Sequence, residues 1–552
     1  MSKRFFSLVS GLLIAGLLFT GCVPKTEPPQ DTGQTPAENT AQPATQKILR
    51  TNNMSEPGTL DPALAQGTHD SWVLDHVFEG LFKHSQNGGM EPGMAKEYKL
   101  ADDEVTYTFT LRDDVKWSNG DPVTAHDFEF AWKRALNPEL AAEYAYQFYY
   151  LKGGEAYNTG AGSLDDVGVK ALDDKTLEVV LETPTAYFLE LTSFYTYYPV
   201  NKKAVEANPD WAKSPSTYVS NGAFKLTEWE HNAKIVIMKN ENYYNAANVK
   251  LDGVEFSILA DENTAWQKYE GGEFDFLTPL PQAVVAQLKA ANNSELVIGG
   301  DVATYYYNFN TKVKPFDNAK IRKGLVMTLD RQTIVDKIAQ GGQIAAEGVV
   351  PFGMLDENKK DFRDSSGELV QYNVEEGKKL FEEGLAETGY KASDFSQFVL
   401  LYNTSEGHKK IAQTAQEMWR TNLGIEIQLE NVDFQVKLDR EKAGDFHISR
   451  AGWVGDYIDP MTFIDLWVTT SSFNDAKFSN ARYDELVATA KATTDQKVRM
   501  EAMREAEQIL MDHMPVAPIY FYTQPYAQKT YVTGIFKPLN RYPYFIYADM
   551  NK

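Results

Sequence analysis

Thr alternates with Tyr, Phe and Leu over residues 105–111 (VTYTFTL), so every second side chain is apolar and a β-strand is predicted. A turn-rich connection, DDVKWSNGDP, follows. Thr124-Ala125-His126-Asp127 then has the form of a capping box, and Phe128, Trp132 and Leu136 recur behind it at helical spacing. A helix is predicted there, with His126 an ordinary first-turn residue. The same reading predicts strands at 233–239, 253–259, 304–310, 398–402 and 424–429, and short extended pieces at 274–276 and 446–450. It predicts helices at 264–269, 282–290, 321–340, 409–422 and 483–511. Helical and extended segments alternate without a tandem repeat, which predicts layered α/β lobes. One stretch fits neither period. Residues 450–460, RAGWVGDYIDP, crowd an arginine, a tryptophan and two aspartates together with no apolar stripe.

The first residues follow a different pattern. Lys3 and Arg4 precede an apolar run from Leu8 to Phe19 that is short for a membrane span, and Thr20-Gly21-Cys22 follows it. This is similar to a bacterial lipoprotein cleavage box, with Phe19 where Leu is usual. Residues 1–21 are expected to be a signal peptide, with a diacylglyceryl anchor on Cys22; an ordinary secretory signal is the alternative. Residues 22–46, rich in Pro, Thr, Gln, Ala and Glu, bury too little apolar surface to order and read as a tether. The expected location is the extracellular face of the cell membrane, or the periplasmic face in a Gram-negative cell.

Composition narrows the function. With 552 residues the chain is too long for one core, so two or three lobes are expected. The net charge of -23 argues against a nucleic-acid partner, because nothing would neutralise phosphates. Cys22 is the one cysteine, which excludes intrachain disulfides, cysteine metal clusters and a thiol redox pair. Aromatic residues make up 12% of the chain, suited to a core or to a wide binding cleft.

The segment from Thr106 to Leu136 resembles the signature of solute-binding family 5, the extracytoplasmic peptide- and nickel-binding proteins of ABC importers. It carries a strand ending at Arg112, an acidic pair, Lys116-Trp117 and an Asn-Gly-Asp turn. Further matches run in order: VFEGLF from Val77, SNGAFKL from Ser220, YEGGEF from Tyr269, PFDNAKIRKGLVMTLD from Pro315, LYNTSEGHKKIA from Leu401 and RAGWVGDY from Arg450. Within the family the likeness is greatest to the oligopeptide-binding branch. The resemblance implies an α/β, two-lobed periplasmic-binding-protein-like fold (type II, cluster C), hinge-connected, with an additional subdomain. Lobe I would comprise 47–91, 210–307 and 523–552, the extra subdomain 92–209 and lobe II 308–522. It implies a monomer that takes short peptides and delivers them to a membrane permease, with no cofactor and no metal.

The resemblance also assigns the site. Asp456 would meet the α-ammonium of the peptide, with Arg450, Gly452 and Trp453 lining the same cleft. Gly452 and Val454 would offer main-chain groups for β-augmentation, which is indifferent to sequence, and Trp453 would pack over the peptide. The alternative is that Asp456 caps a turn and pairs with Arg450. Glu79 would line the cleft from the opposite lobe, or be a surface carboxylate at a helix end. Asn403 and His408 would lie near the peptide C-terminus, where a protonated His408 could meet a carboxylate; an exposed helix-start histidine is the alternative. One departure stands out: Glu441 occupies a place where the oligopeptide-binding branch has a basic residue, so preferences of length or charge could differ.

Rival readings come from other classes. Asp456, Asp459 and Glu79 could form a glycosidase pair, but G-x-S-x-G, H-E-x-x-H and P-loop motifs are absent, and an enzyme is not expected. His69, His76 and His84 lie seven and eight residues apart, which matches neither usual short metal-ligand pattern. A nickel complex or another small solute, and a receptor for peptide signals, stay open within the same family.

Overall fold

In the computed structural model, residues 46–86, 89–185 and 187–552 are described; the expected signal peptide, Cys22 and all but the last residue of the tether lie outside them. Gln46–Lys552 pack as one unit. Three sheets organise it.

The first has four strands, in the order Ile48–Asn52, Gly253–Ser257, Lys234–Lys239 and Phe224–Glu230, with only the first pair parallel. The chain's last residues return to this region. Lys47 pairs with Asp549 at 2.5 Å, and the buried ring of His76 accepts the Phe545 N–H at 2.9 Å. A second four-stranded sheet, in the order Ala95–Leu100, Thr106–Leu111, Thr176–Val180 and Val169–Ala171, is wholly antiparallel. Its Thr106–Leu111 strand alternates half-buried Thr with buried Tyr107, Phe109 and Leu111, the period the sequence predicts. The expected capping box forms too. Thr124 precedes the Ala125–Ala135 helix, and Asp127 accepts from the Thr124 N–H at 2.9 Å.

The third sheet has seven strands and mixed direction. Its centre is a pair of long antiparallel strands, Leu296–Phe309 and Val516–Gln528. The two expected lobe crossings, at 307/308 and 522/523, fall inside these strands. Their register shifts between Gly300 and Thr304 and again between Tyr305 and Tyr306, so the ladder is irregular there. On the far side of Leu296–Phe309 lies the strand Ile448–Val454, then Val399–Asn403 and Gln428–Val432.

Several elements differ from the sequence reading. The long helix expected at 321–340 breaks in two. Ala319–Met327 is helical, and Asp330 starts a new segment by accepting from the Thr333 N–H at 2.9 Å; it continues as a π-helix over Ile334–Ala339. The helix expected at 483–511 is likewise two, Ala481–Lys491 and Gln496–His513, because Asp495 caps the second by accepting from the Lys497 and Val498 N–H groups. The strand expected at 424–429 lies at Gln428–Val432, because Gly424, at φ +67°, ends the preceding helix in a left-handed conformation. The short extended piece at 446–450 is the start of the Ile448–Val454 strand, which runs through the unclassified RAGWV stretch.

Candidate functional site

The Ile448–Val454 strand is paired along its whole length with Leu296–Phe309. On its other side Val399–Asn403 reaches only Ile448 and Ser449. From Arg450 onward, one row of backbone N–H and C=O groups therefore has no neighbouring strand among the described residues. That free edge borders a cavity of about 360 Å³, within the usual range of ligand sites. Arg450, Gly452, Trp453, Val454, Asp456, Asn403 and His408 all line it.

Asp456 sits just past the strand, in a loop that fixes its backbone. Its N–H donates to Thr462 Oγ1 at 2.9 Å, and its carbonyl accepts from Arg541 Nη2 at 2.8 Å and Asn540 Nδ2 at 3.1 Å. The carboxylate is buried and meets only neutral donors: Gln147 Nε2 at 2.7 Å, with the Tyr144 and Tyr146 hydroxyls at 3.5 Å. No described basic side chain lies within ion-pair distance of it. Burial pushes its pKa up to about 8; Arg541 offsets part of the shift and Asp465 adds to it. The turn-capping alternative, an Asp456–Arg450 pair, is thereby excluded.

Arg450 is the opposite case, a half-buried cation with no described carboxylate within ion-pair distance. Its Nη2 donates to the Tyr522 hydroxyl at 2.6 Å and its Nη1 to Asn403 Oδ1 at 3.3 Å, and the guanidinium lies 4.7 Å from the centre of the Tyr305 ring. Its Nε is buried without a partner. Gly452 keeps this wall open: a Cβ there would stand 3.1 Å from the Tyr522 hydroxyl. Trp453 packs edge-to-face on Phe473 at 4.9 Å and stacks over Tyr144 at 6.3 Å.

Two expectations are corrected. Glu79 does not line the cavity. Its buried carboxylate accepts from the hydroxyls of Tyr243 and Tyr244 and lies 3.5 Å from Lys83, a packed cluster and not a surface carboxylate. His408 lines the cavity but is half-buried on the first turn of the Glu406–Leu423 helix. Burial, and then the charges of Arg450 and Lys437, hold its pKa well below the ordinary 6.5, so at neutral pH it is an uncharged ring, not a cationic partner for a carboxylate. Asp459 of the imagined glycosidase pair is held by Arg499 at 2.9 Å. Of the three histidines, His69 lines the cavity, while His76 has both ring nitrogens engaged, by Trp72 O and the Phe545 N–H. Among the described residues no group of His, Cys, Asp or Glu is arranged to hold a metal ion, and no helix is long and apolar enough to cross a membrane.

Sequence reasoning missed the residues that close the cavity from other segments, among them Gln66, Thr68, Tyr144, Phe194 and Tyr195. Nothing in their local pattern marks them. They line the cavity from more than 250 positions away from Asp456 and Trp453 in sequence.

A family model described as "Bacterial extracellular solute-binding proteins, family 5 Middle" matches residues 89–475. The chain is similar to the oligopeptide-binding protein OppA of Bacillus subtilis, 41% identical over 98% of this chain and 99% of that one. It is also similar to the dipeptide-binding protein DppE of the same organism, 37% identical over 100% of both. Among solved structures it matches Haemophilus influenzae OppA in complex with the peptide RPPGFSPFR, with a TM-score of 0.85 and 34% identity over 93% of this chain and 100% of that one. The Escherichia coli murein tripeptide-binding protein MppA provides a conformational scale. One MppA structure matches with a TM-score of 0.84 at 32% identity, over 92% of this chain and 99% of that one. The unliganded open form of MppA matches with only 0.62, at the same identity and over 92% and 98%. The lobes here are not in that open arrangement.

Proposed function

This chain belongs to the bacterial extracellular solute-binding proteins of family 5, and we propose that it captures short peptides and hands them to the permease of an ABC importer. The observation that carries this reading is Asp456, a buried carboxylate with no described basic side chain within ion-pair distance, at one end of a free strand edge. An α-ammonium would supply the missing charge. The peptide backbone would pair with the edge from Val454 to Arg450, whose four steps span roughly 13 Å, so a short extended peptide would run from Asp456 toward Arg450. Arg450 would then meet the acidic end of the chain, beside Asn403. Backbone and termini are what all peptides share, so such a site accepts many sequences.

Closure follows from the same contacts. Donors to Asp456 come from the 143–150 segment and the strand edge from 450–454, so a peptide touching both favours the closed form by its differential affinity. The division into lobe I (47–91, 210–307, 523–552), subdomain (92–209) and lobe II (308–522), and the lipid anchor on Cys22 that would hold a monomer at the membrane face, belong to this reading.

The test is a pair of titrations. Asp456→Asn is expected to weaken peptide binding at least about a hundredfold, since removing one partner of a buried ion pair costs on the order of 3–5 kcal/mol. N-acetylation of the peptide should cost the wild type a comparable factor and the variant little. Equal capture of acetylated and free-amine peptides by the wild type would overturn the ammonium assignment.

A further inference from the structure

The cavity reaches both faces of the Ile448–Val454 strand. Side chains alternate along it. Arg450 and Gly452 turn to the Tyr305 side, while Ser449, Ala451 and Trp453 turn the other way, with Tyr306 opposite Ala451 in register. Ala451 is small, and on that face it leaves a recess walled by Tyr306, Trp453 and Phe473.

The end of this recess is charged. Glu441 is buried; it accepts from Ser449 Oγ at 2.6 Å and pairs with Lys437 Nζ at 2.5 Å. Beside it, Asp475 Oδ1 is shut off from solvent and accepts no hydrogen bond. The ammonium paired with it, Lys442 Nζ, is 3.7 Å away and is shared with Glu143 at 3.4 Å and the Ser472 carbonyl at 2.6 Å. Three carboxylates (Glu143, Glu441, Asp475) thus share the ammonium groups of Lys437 and Lys442, and the charge of Lys477 also acts on Asp475. Arg450, also close, lies on the other face and is turned to Tyr522 and Asn403. The recess therefore has aromatic walls and, at its end, a carboxylate oxygen without a hydrogen bond. Phe473 already seats one cation, with Lys442 Nζ 4.4 Å from its ring centre. That combination complements a long side chain with an apolar stem and a cationic tip.

We propose that Asp475 and Glu441 make this recess select a lysine or arginine side chain of the bound peptide, a preference that rests on the peptide-capture reading above. The sequence places Glu441 at the position where the family likeness breaks down, and here that residue acquires a role.

The experiment is calorimetric titration of the full chain with tetra-alanine and with its single-lysine and single-glutamate variants. At one peptide position lysine should bind about tenfold tighter than alanine, and glutamate weaker than alanine. In Asp475→Asn the lysine-to-alanine ratio should fall to near one, and in Glu441→Gln it should fall part of the way. Thermal melts of both variants report whether they fold, and the wild-type series stands without them. Equal binding of the lysine and alanine peptides to the wild type would overturn the proposal, as would a ratio untouched by both substitutions. If no peptide binds, tetra-alanine included, the peptide reading itself falls and the recess assignment with it.

Discussion

Asp456 shows how one buried group can report both stability and binding. Its folded pKa, raised to about 8 by burial, lies far above the ordinary carboxyl value of 3.8. The stability it contributes is therefore fully present below about pH 4 and is lost progressively as pH rises through about 8. Without peptide, the wild type should melt progressively lower than Asp456→Asn as pH rises from 5 to 8. Saturating peptide should cancel that trend, because an ammonium draws the proton off the carboxyl. Melting curves of the two proteins across this range, with and without peptide, check both halves; parallel curves would contradict the neutral carboxyl. At this scale the sequence motif holds Asp456, Arg450, Trp453 and their neighbours, which all line one cavity. It served badly for Glu79, because a Phe-Glu-Gly-Leu-Phe match says nothing of Tyr243 and Tyr244, which fold back from beyond position 240 to take the carboxylate.

Elements were legible where their period was clean. The Gln282–Ala290 helix and the Thr106–Leu111 strand lie where apolar spacing puts them. Errors arose where a periodic run contains an internal cap, as at Asp330 and Asp495, since a side chain that can start a helix is also tolerated within one. The consequential element is the Ile448–Val454 strand with its half-paired edge. If its free N–H and C=O groups bind peptide backbone, N-methylation of a peptide's internal amides should weaken binding at least about tenfold with the termini intact. Unchanged affinity would rule out edge pairing. The capping box gives a separate check on the fold: Thr124→Ala should lower stability by about 1 kcal/mol in chemical denaturation and leave peptide affinity as it was.

For the whole molecule, the candidate site exists only where distant segments meet. Tyr144, Tyr146 and Gln147 donate to Asp456 across more than 300 positions of sequence, and those bonds exist only while the segments are held together. Peptide should therefore compact the protein. Small-angle scattering is expected to show a smaller radius of gyration with peptide than without, and Asp456→Asn should need at least about a hundredfold more peptide for the same change. A radius that does not respond to saturating peptide would argue against closure.

The sequence alone determined the family likeness, the α/β alternation, the exclusion of intrachain disulfides, and the short motif that supplies the candidate site's carboxylate and guanidinium. These are local or compositional properties, written in adjacent residues. The tertiary structure alone decided that the Asp456 carboxylate has no ion-pair partner among the described residues, that His408 is uncharged, that Glu79 is packed away from the cavity, and that Glu441 and Asp475 share a recess. Each depends on desolvation and on charges brought close by folding, and such distances are not encoded in any one stretch of the chain.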